Sequence, residues 1–214
     1  MSPRGTVPRN PTDKKGLERE RINPYNESIQ EAPMKLVHNT IPVEFLQAMP
    51  EGMKLVNRHG REFLVVESVT SRSGRPLVTE SVRIHGEPSI RIGMKIGESE
   101  GLIFVDAFWG SHSKLYGFLP DLSDGEQIVE AFEADTRESL MVDRTCEVEG
   151  CGCSRGIELV LPGGKNTIQV CARLGCPGHR IVLADMAKPV EDSVSGINFF
   201  GAGSLDDNWF DSFA

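Results

Sequence analysis

All five cysteines of the 214-residue chain fall inside one stretch, "CEVEGCGCSRGIELVLPGGKNTIQVCARLGC", from Cys146 to Cys176. Thiols this close together can hold a metal ion, carry redox chemistry or cross-link. An odd number fits poorly with a closed disulfide framework, and in a reducing compartment such clusters bind metal more often than they pair. Within the stretch, "CEVEGC" and "CARLGC" repeat one pattern: cysteine, three residues, glycine, cysteine. Each loop lets two thiolates converge on one ion, and the glycine permits the positive φ that a tight knuckle demands. The expected ligands are Cys146, Cys151, Cys171 and Cys176, with Cys153 or His179 as substitutes. Zinc is the expected ion because two separated pairs suit one tetrahedral centre, and iron in the same tetrathiolate is the alternative. Four thiolates on a divalent ion leave a net charge of about −2. Arg144, Arg155, Arg173 and Arg180 are placed to offset it.

The nineteen residues between the half-sites alternate apolar and polar, with Ile157, Leu159 and Leu161 before "PGGKN" and Ile168 and Val170 after it. That pattern with that turn chemistry predicts a hairpin. Two cysteine knuckles at the ends of a hairpin resemble a zinc ribbon, over roughly residues 144–184, with "RIVLADM" as a third strand. The spacer of four residues in each knuckle is wider than the two of many ribbons. A closed tetrathiolate is usually structural, and the sequence carries neither an "HExxH" pattern nor a zinc-deaminase pattern.

Other groups carry weaker signals. "DAFWGSHSK" places Asp106, Ser111, His112 and Lys114 near one another, but without a "GxSxG" elbow it reads as a polar hairpin loop rather than a hydrolase triad. His59 in "NRHGR" and His85 in "RIHGEP" read as turn residues. "PGGK" lacks the length and the following Ser or Thr of a phosphate-binding loop.

The elements that must position the cysteines read as mainly β within an α+β chain. "NTIPVEFLQAMPEG" predicts a short helix, capped by Asn39 or Thr40 with Pro42 in its first turn. "MKLV" and "EFLVVESV" predict a hairpin around Gly60. "LVTESVRI", "SIRIGMKI", "GLIFVDAFW" and "KLYGFLP" follow as further strands. In the second of these, Ile90, Ile92, Met94 and Ile96 mark the buried face. Short strands at this spacing predict an antiparallel meander curling into a barrel-like domain. "SDGEQIVEAFEADT" predicts a helix over 123–136, capped by Ser123 and Glu126, with Ile128, Val129 and Phe132 on one face. "ESLMVDR" predicts a strand leading into the cysteines.

Four segments are therefore expected: an arm over 1–33, a β-rich domain over 34–136, the metal-binding module over 137–190 and a tail over 191–214. Their net charges are +1, −5, +1 and −5. The arm holds five of the thirteen prolines and few apolar residues, too few to repay the entropy of ordering. The tail combines five acids and no base with Phe199, Phe200, Trp209, Phe210 and Phe213. It is expected either to fold onto the core or to dock its aromatics on a protein partner. The overall charge of −8 disfavours a protein that coats nucleic acid through its net field. No apolar run approaches the roughly 20 residues that span a bilayer, and the N-terminus carries no apolar core of a secretory signal, so a cytoplasmic location is expected. The functional expectation is a non-catalytic, metal-stabilised subunit or adaptor. An iron or thiol redox component and a nucleic-acid-associated adaptor are the alternatives.

Overall fold

A computed structural model describes residues 40–58, 60–120, 122 and 127–198. The elements run α1 (Val43–Gln47), β1 (Met53–Arg58), β2 (Arg61–Val66), β3 (Val78–Ile84), β4 (Glu87–Ile96), β5 (Ser99–Val105), β6 (Lys114–Tyr116), β7 (Glu130–Phe132), β8 (Met141–Asp143), β9 (Arg155–Val160), β10 (Thr167–Cys171), β11 (His179–Val182) and α2 (Lys188–Ser195). The chain is mainly β, and every strand pairing is antiparallel.

The turns explain the pairing. β3 and β4 are joined by His85 and Gly86, both at positive φ, the two-residue geometry whose twist matches that of paired strands. β4 then pairs with β5 from Ile90↔Val105 to Ile96↔Ser99, and β5 pairs with β6. On its other edge β4 takes β3 along one half and β7 along the other. The second sheet runs β11-β10-β9-β8, and β1 and β2 form a separate hairpin. These sheets stay open, so the barrel-like closure expected from strand spacing does not occur.

Ile90, Ile92, Met94 and Ile96 are all buried, as their alternation predicts, and one core joins them to Leu159, Leu161, Ile168 and Ile181 of the second sheet and to Val194 of α2. The segments read as a β domain and a metal module thus share a single hydrophobic core. α1 is only five residues long and anchors through Phe45, which is fully buried. Its N-cap is Pro42, with no side-chain cap, so Thr40 does not play the capping part expected of it. Asn39 lies outside the described residues.

Two expectations need correction. The helix expected over 123–136 is not formed: Glu130–Phe132 is strand β7, paired with β4, and Ile128 bridges to Arg173. Gln127, Val129, Ala131 and Glu133 are buried while Ile128 and Glu130 are exposed, a period of two hidden because half of the buried set is polar. Ladder hydrogen bonds to β4 override the local helix propensity. Ser123 and Glu126 lie outside the described residues. Likewise "GLIFVDAFW" is not one strand: β5 ends at Val105, and Phe108 bridges to Val65 of β2.

α2 crosses the expected boundary between the metal-binding module and the tail, and the tail's first residues take the first of their two expected courses, folding onto the core. Pro189 in the first turn of the helix favours initiation there, and Glu191, 5% exposed, ties it to β11. That carboxylate accepts from Arg180, from Lys188 and from the Leu183 N–H. Val194 and Ile197 are fully buried, so the first eight residues of the expected tail are part of the fold. Among the described residues no helix is long and apolar enough to cross a membrane.

Candidate metal centre

The β8–β9 pairing extends beyond the strands themselves: the Arg144 N–H donates to the Ser154 carbonyl and the Cys146 N–H to the Cys153 carbonyl. The chain between them closes as a loop, with Cys151 inside. At the other site the Cys171 N–H donates to the Gly178 carbonyl at 2.7 Å, closing a second loop that carries Cys176. The two loops turn in the same way. The Cys151 N–H reaches the Val148 carbonyl and the Cys176 N–H reaches the Arg173 carbonyl, with Gly150 and Gly175 at φ 77° and 80° in the equivalent place. The duplicated sequence pattern is thus a duplicated turn.

Because β9 and β10 are adjacent, Cys171 lies opposite Gly156 and the two loops meet. The Sγ atoms of Cys146, Cys151, Cys171 and Cys176 all lie within 4.8 Å of one another. Two close separations cross between loops: 3.7 Å from Cys146 to Cys176 and 3.6 Å from Cys151 to Cys171. A disulfide needs about 2.05 Å, and all five cysteines are free thiols. A tetrahedron with metal–sulfur bonds of about 2.3 Å has edges of about 3.8 Å. The residues present therefore fit a single tetrahedrally bound ion.

Backbone donors face the sulfurs. The Arg173 N–H points at Cys171 Sγ and the Gly178 N–H at Cys176 Sγ, each at 3.4 Å. The Cys153 N–H, with the neighbouring cysteines adding to its effect, lowers the Cys151 pKa to about 7. Burial pushes the Cys171 and Cys176 thiols up, the direction that a bound cation would oppose by favouring the thiolates. Arg173 lies against this site, donating to the Cys151 carbonyl at 2.5 Å. The other three arginines have different partners: Arg144 donates to the Gln169 carbonyl, Arg155 pairs with Asp143, and Arg180 pairs with Glu147 and Glu191.

Neither substitute ligand joins the cluster. Cys153 is buried, with its S–H donating to the Arg155 carbonyl. The His179 ring nitrogens face the carbonyls of Pro177 and Ile197, and its ring lies edge-on to Trp109 and His112. Asp106 is not hydrogen-bonded to His112: it bonds to His85 at 2.6 Å and accepts from the Phe108 N–H. His59 and the aromatic residues Phe199, Phe200, Trp209, Phe210 and Phe213 lie outside the described residues.

Gly178 is the site residue that spacing did not reveal. A Cβ there would stand 2.7 Å from Cys146 Sγ and 3.3 Å from the Cys171 Cβ. The glycine leaves room for the sulfur, and only its position two residues after Cys176 could have pointed to it. Comparison of the chain with protein-family models, with curated proteins and with solved structures finds no match.

Proposed function

We propose that the chain is a non-catalytic, metal-stabilised subunit or adaptor of a larger protein assembly, in which one zinc ion on Cys146, Cys151, Cys171 and Cys176 fixes a module similar to a zinc ribbon. The convergence of four sulfurs at tetrahedral spacing carries this reading. Four protein ligands fill a tetrahedral shell and leave no place for substrate or water, the condition of a structural rather than a catalytic zinc. The ion would fasten the loop before β9 to the loop after β10, and the shared core makes that fastening part of the whole fold.

Partner binding falls to the acidic, aromatic residues at the C-terminus. Phe199, Phe200, Trp209, Phe210 and Phe213 are separated by glycines, serines and acids, a composition suited to filling apolar pockets behind a basic rim. Val194 and Ile197 belong to the core, so the docking residues begin after Asn198.

Elemental analysis and a visible spectrum on anaerobically purified protein test the metal. About one zinc per chain without colour is expected. Visible thiolate-to-iron absorption would replace zinc by iron and favour electron transfer. Affinity capture with the full chain, set against a Trp209→Ala, Phe210→Ala double variant, tests the docking. Undiminished recovery of partners by the variant would remove those aromatics from the interface.

A further inference from the structure

A cavity of about 150 Å³ lies between the two sheets. Ile92 and Ile103 line it from one side and Leu159 and Ile168 from the other, with the second cysteine loop forming part of its wall. A cavity of about this volume with mostly apolar walls has room for a benzene-sized molecule.

Its rim has a different character. β6 pairs with β5 so that Lys114 stands opposite Val105 and Tyr116 opposite Ile103, and both project on the cavity side together with His112. The Lys114 side chain forms no ion pair or hydrogen bond among the described residues, and the Tyr116 hydroxyl has no hydrogen-bond partner there. The carboxylate at the rim is Asp106, fully buried and already engaged by His85 and the Phe108 N–H. Arg173, His179 and two of the clustered cysteines, Cys171 and Cys176, complete the charged and titratable lining. Burial lowers the Lys114 and His112 pKa values, and at His112 the neighbouring His179 and Lys114 lower it further. Burial raises that of Tyr116 and keeps it a neutral donor. Two exposed basic side chains, His112 and Lys114, thus stand at the mouth of a hole with apolar walls.

We infer that this cavity binds a small aromatic monocarboxylate, with its ring between the β4–β5 and β9–β10 faces and its carboxylate at the rim against Lys114, Tyr116 and His112. The inference combines volume, apolar lining and a lysine side chain with no ion-pair partner among the described residues, and it does not depend on which metal the cysteines hold.

Benzoate and toluene, titrated separately into the full metal-loaded chain, provide the test, with side-chain methyl NMR as the readout. Both probes should shift the methyl resonances of Ile103, Leu159 and Ile168, and benzoate alone should raise the titration midpoint of His112. Lys114→Met, a change at an exposed rim position, should weaken benzoate about tenfold while leaving toluene unchanged, and Lys114→Arg should restore much of the loss. If Lys114→Met weakens neither probe or both alike, the carboxylate assignment falls. If neither probe moves the methyls, the cavity is not a ligand site. If they enter only after Phe199 and Phe200 are replaced by alanine, the chain's own aromatics are the occupant and the inference is overturned.

Discussion

In the five-stranded sheet, β4 buries Ile90, Ile92, Met94 and Ile96 against residues from both sheets and from α2, and each contact is one of many. The cysteine loops, 146–153 and 171–178, have a different economy. Besides their cysteines, Ala172 is the only fully apolar residue they bury, and their geometry rests on a few turn hydrogen bonds and four sulfurs aimed at one point. A sheet held by distributed apolar contacts loses stability gradually as contacts are removed. Loops held by ligation fail together when one ligand goes, because the remaining thiolates cannot hold the ion in a complete tetrahedral shell.

Cys171→Ser would break the comparison most directly. Metal content should drop from about one ion per chain to near zero. Amide hydrogen exchange should rise sharply across 144–184 while β4 and β5 keep much of their protection. Equal loss of protection everywhere would mean that the loops and the sheet stand or fall together. Chelation of the wild-type chain should reproduce the same uneven pattern.

Gly178→Ala is expected to act less strongly. The added methyl meets Cys146 Sγ at 2.7 Å, so the sulfur must move off its tetrahedral corner, lowering metal affinity by about 10–100-fold. A competition titration with a chromophoric chelator measures this, and an unchanged affinity would show that the loop can yield at no cost. On the sheet side, Gly93→Ala makes the matching test. Its Cβ would lie 2.0 Å from the Phe132 ring across the β4–β7 pair, and overpacking of this kind costs about 1–3 kcal/mol. Denaturant melts should show that loss at unchanged metal content. Reduced metal binding in this variant would show the sheet and the centre to be coupled through their shared core.

The same contrast governs what could be read from sequence. The cysteine site was legible because its information is local: a duplicated six-residue pattern specifies a duplicated turn, and the hairpin between the copies brings them together. Ile90 to Ile96 were equally legible, since a fully apolar alternating face can be recognised without knowing its partners. β7 was not, because its buried positions include Gln127 and Glu133, and a polar side chain on an inner face looks like an outer one until its partners are known. The bounds of α2 were hidden for a related reason. Its buried anchor, Glu191, is an acid whose partners Arg180 and the Leu183 N–H come from β11 and the residue that follows it. Gly178 was hidden because its constraint is a sulfur thirty-two residues away in sequence.

Glu133 offers the finest test. Its side chain is buried, yet it accepts from the Asp135 N–H at 3.0 Å and from both the Thr136 N–H and its hydroxyl, the latter at 2.6 Å. Burial pushes its pKa up, but the Thr136 and Asp135 donors, with Arg75 nearby, hold it on balance below the ordinary 4.5. A carboxyl whose pKa is lower folded than unfolded binds more protons when unfolded. Its stabilisation is therefore complete above the unfolded value and is lost as pH falls through the folded one. Glu133→Gln should cost about 1 kcal/mol at neutral pH and flatten the fall in stability below about pH 4.5. Acid also protonates cysteine thiolates and weakens ligation, so metal release must be followed in parallel with unfolding. If the variant releases metal at the same pH as wild type but unfolds with a shallower acid slope, the two regions respond to acid through separate groups. An identical slope would mean that the turn after β7 gains nothing from the charge of Glu133.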